Sequence, residues 1–117
     1  MLREAHGIQK IVLRAGRTDM RLGIDKLVSM LVADYDFHPM EDGGLYLFSG
    51  ARKDTIKGLT YDKNGFLIFT KRLALGTFQW PRNTKDALEI TREDYERLMN
   101  SYSIEGFIDA REIQGVC

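Results

Sequence analysis

Residues 52 to 82 carry Arg52, Lys53, Lys57, Lys63, Lys71, Arg72 and Arg82 against only Asp54 and Asp62, so seven cations to two acids leave a local surplus of about +5. Cations concentrated in this way and interleaved with Tyr61, Phe78 and Trp80 suit one chemistry above others. Lysine and arginine neutralise phosphates by releasing counterions, and aromatic rings stack on unpaired bases. Arg21, Arg52, Lys57, Lys71 and Arg72 are the candidate phosphate or partner contacts, with Tyr61 and Trp80 as candidate stacking rings. Trp80 also fits a packed anchor ahead of Pro81. Arg21 has a second reading, as a surface pair with Asp25 four residues further along a helix.

Bond-breaking chemistry finds less support. Metal-dependent strand transfer needs a cluster of carboxylates, and Asp19, Asp25, Asp54 and Asp62 have the spacing of no known metal signature. Asp19 fits a helix-starting carboxylate and Asp62 a turn residue ahead of Lys63-Asn64-Gly65. His6, His38 and Cys117 are too few and too scattered for zinc. No nucleophile and base pair and no phosphate-cradling glycine loop stand out, so the residues point to a non-enzyme without metal or cofactor. Helix-turn-helix, zinc-finger and RNP-type signatures are also absent, so the expected reader is one of backbone and shape.

The chain as a whole is neutral, with 17 cations and 17 acids in 117 residues. Its charge is segregated. Residues 1 to 51 hold six cations and seven acids, and residues 83 to 117 hold four and eight, which suggests one face that attracts phosphates and another that repels them or meets a basic partner.

These side chains need a scaffold. Ile8, Ile11, Val12 and Leu13 predict a strand closed by Gly16, with Lys10 and Arg14 pointing outward. A helix is predicted from Thr18 or Asp19 through Ala33, with Gly23 marking a close backbone approach. LYLF at 45–48, TIKGLTYD at 55–62, FLIFTKRLALG at 66–76 and TFQW at 77–80 read as strands, and Asn64-Gly65 reads as a hairpin turn. Ile56, Leu67 and Phe69 are expected on a buried face, and Lys57, Lys71 and Tyr61 on the opposite one. Thr91 and Asp94 resemble a capping box for a second helix whose stripe is Tyr95, Leu98, Met99 and Tyr102. The segment from Ser103 to Cys117 reads as an edge strand, a short helix or a partner-binding extension.

The fold class expected is α+β, a mainly antiparallel sheet of about five strands in meander order with two covering helices. A hydrophobic content of 44% and a charged content of 29% over 117 residues fit one two-layer domain spanning 1–117, with 103–117 a candidate separate extension. No apolar run approaches a bilayer span, MLREAHG has no signal-like core and the only cysteine is Cys117, so a cytoplasmic protein with no membrane partner is expected.

TDMRLGIDKL at 18–27, LYLFSGARKDTIKGLTYDKNGF at 45–66, KRLALGTFQWP at 71–81 and LEITREDYERLM at 88–99 together carry a resemblance. In order and spacing the chain resembles the TnpB (Orf2-like) accessory proteins of IS-sixty-six type bacterial insertion sequences. The pattern is matched by Thr18, Asp19, Met20, Arg21 and Gly23, then Phe48, Gly50 and Arg52, then Lys57, then Lys71, Arg72, Leu73, Gly76, Phe78, Trp80 and Pro81. Ser49, Ala51, Gly58 and Ala74 depart from it. The resemblance implies a small protein encoded beside a transposase that assists movement of the element, with no established chemistry of its own. The partners implied are that transposase and the DNA of the element ends, with a homo-oligomer left open. Docking on the transposase without touching DNA is the alternative.

Overall fold

A computed structural model of the chain describes residues 7–100. The expectations for Tyr102 and for 103–117 lie outside the described residues. Strand β1 (Lys10–Arg14) is buried along four of its five positions, because Ile11 and Leu13 face one side of the sheet and Val12 the other. The chain then returns through helix α1 (Ile24–Tyr35) to strand β2 (Gly44–Ser49), which lies parallel to β1 with Ile11 opposite Leu45 and Leu13 opposite Leu47. A strand, a crossover helix and a parallel strand make a βαβ unit. The meander expected from sequence is corrected at this step.

Strand β3 (Thr55–Asp62) and strand β4 (Gly65–Arg72) continue antiparallel from β2, and strand β5 (Ala87–Ile90) pairs antiparallel with β1 on the other side. The resulting five-stranded mixed sheet, mostly antiparallel, has the order β4-β3-β2-β1-β5. The β3–β4 hairpin forms as expected, but Asp62 pairs with Gly65, so the turn itself is Lys63-Asn64. Lys63 takes the left-handed conformation at φ 57°. TFQW joins no ladder. Phe78 and Trp80 instead point down from an extended segment onto one sheet face, and the Phe78 N–H donates to the Lys53 carbonyl.

Both faces of the sheet are covered, so the domain has three layers rather than two. Leu27 and Leu31 of α1 pack on Val12, Tyr46, Phe48 and Leu59. On the other face, helix α2 (Arg92–Asn100) brings Leu98 and Met99 against Ile11, Leu13, Leu45, Leu47, Ile56, Phe78 and Trp80. This is why β2 is apolar at nearly every position instead of alternating.

The helix ends have local causes. Thr91 Oγ1 accepts from the Asp94 N–H at 3.0 Å, as the sequence predicts for α2. The start of α1 falls later than predicted, at an N-cap Gly23 with no side-chain cap. Asp19 is diverted, because its carboxylate accepts from the Arg21 N–H and its carbonyl from the Leu22 N–H, a tight turn ahead of the helix. The close approach expected at Gly23 is also corrected, since a Cβ there would meet nothing within 4 Å. At the far end Asp36 adopts φ 59° and the Phe37 N–H reaches the Leu31 carbonyl, a Schellman ending that seats Phe37 on the α1-side core. Among the described residues no helix is long and apolar enough to cross a membrane.

Candidate functional site

Because β1 and β2 are parallel, their carboxyl ends lie at one end of the sheet, and the loops that follow them meet there. The Thr18 N–H donates to the Ser49 carbonyl at 2.8 Å and ties the two loops together. The β1–α1 loop, the β2–β3 turn and the chain between β4 and β5 all converge on this end. Residues 14–22, 50–54 and 72–87 carry eight cations, from Arg14 to Lys85, and three acids, Asp19, Asp54 and Asp86. In open sheets the crevice beyond the carboxyl ends of parallel strands is the usual ligand position.

A cleft of about 490 Å³ opens at this end. Arg17, Arg21 and Arg52 line it with Asp19 as their one acid, and Thr18, Met20, Ala51 and Thr55 complete the wall. Arg21 is 90% exposed at its side chain and holds Asp19 with two bonds, Nε to Oδ1 and Nη2 to Oδ2, each 3.0 Å. Those bonds and the Arg21 N–H hold the Asp19 carboxyl down at about 2. Arg52 grips Asp54 in the same bidentate way at 3.1 and 2.9 Å, and with the Thr55 hydroxyl lowers its pKa. Arg17 is exposed and its guanidinium has no acid partner among the described residues. Its charge reaches Arg82, whose pKa is lowered first by burial and then by Arg17. An exposed guanidinium without a carboxylate partner, on the wall of the cleft, favours an anion there.

The walls are braced from beneath. Arg14 is only 8% exposed, and its guanidinium donates to the Arg17 carbonyl, the Thr18 hydroxyl and the Tyr35 hydroxyl. The outward placement expected for Arg14 is thereby corrected. Lys57 points to the α1 side and donates to the Met20 carbonyl at 2.6 Å and the Leu22 carbonyl at 3.2 Å. Arg82 donates to the Gly50 carbonyl and Ser49 Oγ. Gly16 holds φ +82°, and a Cβ there would stand 2.7 Å from the Thr84 carbonyl oxygen, so the loop leaves β1 by a path that needs glycine.

Of the residues singled out from sequence, Arg21 and Arg52 line the cleft and Lys57 supports its floor. Arg72 is exposed opposite Thr55, on the same side of the sheet, and no described side chain pairs with it. Lys71 is elsewhere. It faces the α2 side with its neighbour Ile56, not the side of Lys57, and its ammonium donates to the Met99 carbonyl at the end of α2. The pairing of Arg21 with Asp25 gives way to the shorter-range pair with Asp19. Trp80 is 9% exposed and donates Nε1–H to the Arg14 carbonyl at 3.0 Å, so its ring has no face left for a base. Tyr61 is half-buried and packs edge-on against Phe66, with centroids 4.9 Å apart.

Sequence reasoning chose none of Arg14, Arg17 and Arg82 as a site residue, although it counted Arg82 in the basic stretch and set Arg14 on the first strand. The available signal was RAGRTDMR itself, three arginines at 14, 17 and 21 at the end of a buried strand and in the loop that follows it. Among the described residues no group of three or more His, Cys, Asp or Glu side chains could hold a metal ion.

The chain is similar to the uncharacterized protein y4hO of Sinorhizobium fredii (strain NBRC 101917 / NGR234), with 31% identity over 91 residues that cover 78% of each chain. No solved structure matches. Residues 9–107 match the family described as IS66 Orf2 like protein, a span that includes the whole sheet and both helices. With that match running from β1 past the end of α2, the chain belongs to the IS66 Orf2-like family of insertion-sequence proteins.

Proposed function

We propose that this protein is a non-catalytic accessory of transposition and that the arginine cleft is where it grips the phosphate backbone of the element's DNA. The observation that carries the proposal is the gathering of eight cations and three acids at one end of the sheet, with Arg17 left without a carboxylate. Backbone contact of this kind is dominated by counterion release, so it is salt-dependent and sequence-tolerant. Arg17, Arg52 and Arg72 supply exposed charge, while Arg14, Lys57 and Arg82 keep the loops that carry it in place. Tyr61, half-buried against Phe66, lies toward the hairpin end of β3, away from Thr55 and the cleft, so base stacking there is no part of this grip.

A docking role on the transposase is the second reading. It is favoured by Arg21 and Arg52, which already hold Asp19 and Asp54 and so present a mixed-charge surface suited to a protein. One experiment separates the two. Binding of labelled element-end DNA, single- and double-stranded, is titrated against salt for the wild type and for Arg17→Ala with Arg52→Ala, beside a pull-down with the neighbouring transposase. The DNA reading expects a steep slope of log affinity against log salt that flattens by roughly 1 to 2 in the double variant. Negligible DNA binding near physiological salt, with transposase still retained, would transfer the function to docking.

A further inference from the structure

Strand β4 has only one neighbour among the described residues, β3, with which it pairs continuously from Gly65 to Arg72. One step beyond that ladder the Leu73 N–H donates to the Asp54 carbonyl at 2.8 Å, which fixes the hydrogen-bond phase. Odd-numbered residues of β4 turn their backbone groups to β3, and Phe66, Ile68, Thr70 and Arg72 turn N–H and C=O outward. Among the described residues nothing pairs with this edge, and its charges, Lys71 and Arg72, stand only at its end. It is eight residues long, contains no proline or bulge and is uncharged from Phe66 to Thr70. Leu67 is 44% exposed on the α2 side and Ile68 36% exposed on the α1 side, so at these two positions neither helix covers the strand.

We propose that a second copy of this chain occupies this edge, β4 against β4 and antiparallel, joining two sheets into one across a twofold axis. The outward residues 66, 68, 70 and 72 pair with one another about Phe69, which makes the edge complementary to its own copy, and the charge pattern selects the direction. Parallel self-pairing would set Lys71 and Arg72 beside their own copies, which like-charge repulsion disfavours. Antiparallel pairing centred on Phe69 sets Arg72 opposite Phe66, Lys71 opposite Leu67 and Ile68 opposite Thr70. That register satisfies every outward backbone group of the strand, separates the cations and covers both exposed aliphatic side chains. It also places the two arginine-lined ends at opposite ends of the joined sheet.

The test is the mass of the full chain in solution by sedimentation equilibrium over a wide concentration range, for the wild type, Thr70→Pro, Ile68→Lys and Leu75→Lys. Thr70 directs its N–H away from β3, so proline there removes an outward donor and leaves the β3 ladder intact. The expected result is a dimer for the wild type and for Leu75→Lys, which alters an exposed apolar residue outside the strand, and loss of the dimer in the two β4 variants. If the proline variant unfolds by circular dichroism, Ile68→Lys carries the test alone. A wild type that stays monomeric throughout, or a dimer that survives Ile68→Lys, overturns the proposal. In the wild-type dimer, slow hydrogen exchange at the amides of Phe66, Ile68, Thr70 and Arg72 is expected, and rapid exchange at all of them also overturns it.

Discussion

Asp19 is the one acid lining the cleft, and its effect on the arginines has a sign that can be measured. Its carboxyl is held at about 2, mainly by the side-chain bonds from Arg21 and then by the Arg21 N–H. A depressed carboxylate stabilises the fold above its unfolded pKa, and that contribution is lost as pH falls through about 2. Carboxyl NMR of the wild type should therefore show Asp19 titrating near 2, and Arg21→Ala should return it toward the ordinary value of about 3.9. Asp19→Asn removes the competitor for Arg21 and one negative charge from the cleft. If phosphate is the ligand, DNA affinity at low salt should rise in this variant by up to about fivefold, the scale of one exposed ion pair, while Arg17→Ala lowers it. Parallel losses in both variants would mean that the cleft is merely being deformed.

At the scale of elements, the strands with strong hydrophobic patterning were legible from sequence, and so were the hairpin and the capped α2. The misses have identifiable causes. ALEI is short and leads directly into a capping box, so β5 was hidden inside a helix signature. TFQW alternates as a strand does, but its inward Phe78 and Trp80 fill a sheet face and leave its backbone out of the ladder. Parallel pairing of β1 and β2 follows from the crossover of α1 and is written in no single segment. Charge density over 52–82 foretold cations but not their work, because Lys57, Lys71 and Arg82 spend theirs on backbone carbonyls or hydroxyls. Lys71 can be tested at this scale. Lys71→Met keeps most of the apolar stem and removes the donor to the Met99 carbonyl at the negative end of α2, so urea unfolding should report a loss of about 1 kcal/mol. Gly58→Ala tests the packing between strands, since a Cβ at Gly58 would collide with the Phe69 ring on β4. A cost of about 1 to 3 kcal/mol is expected, largely recovered when Phe69→Leu is added.

For the molecule as a whole, the arrangement separates what holds the fold from what meets a ligand. Two apolar layers, one on each sheet face, supply the stability, while the exposed arginines sit beyond the strand ends and contribute little to it. Arg17→Ala with Arg52→Ala should accordingly leave the unfolding midpoint of the free protein within a few degrees of wild type. A ligand that binds only the folded state adds RT ln(1 + [L]/Kd), about 2.7 kcal/mol at a hundredfold excess over Kd, which for a domain of this size raises the midpoint by roughly 10 °C or more. Element-end DNA should produce such a rise in the wild type, the rise should shrink as salt is added, and the double variant should lose most of it. A rise that persists in the double variant would place the polyanion on some other surface. No rise at low salt, with the protein folded and DNA in excess, would remove DNA from the proposed role and leave the mixed-charge end of the sheet to the transposase.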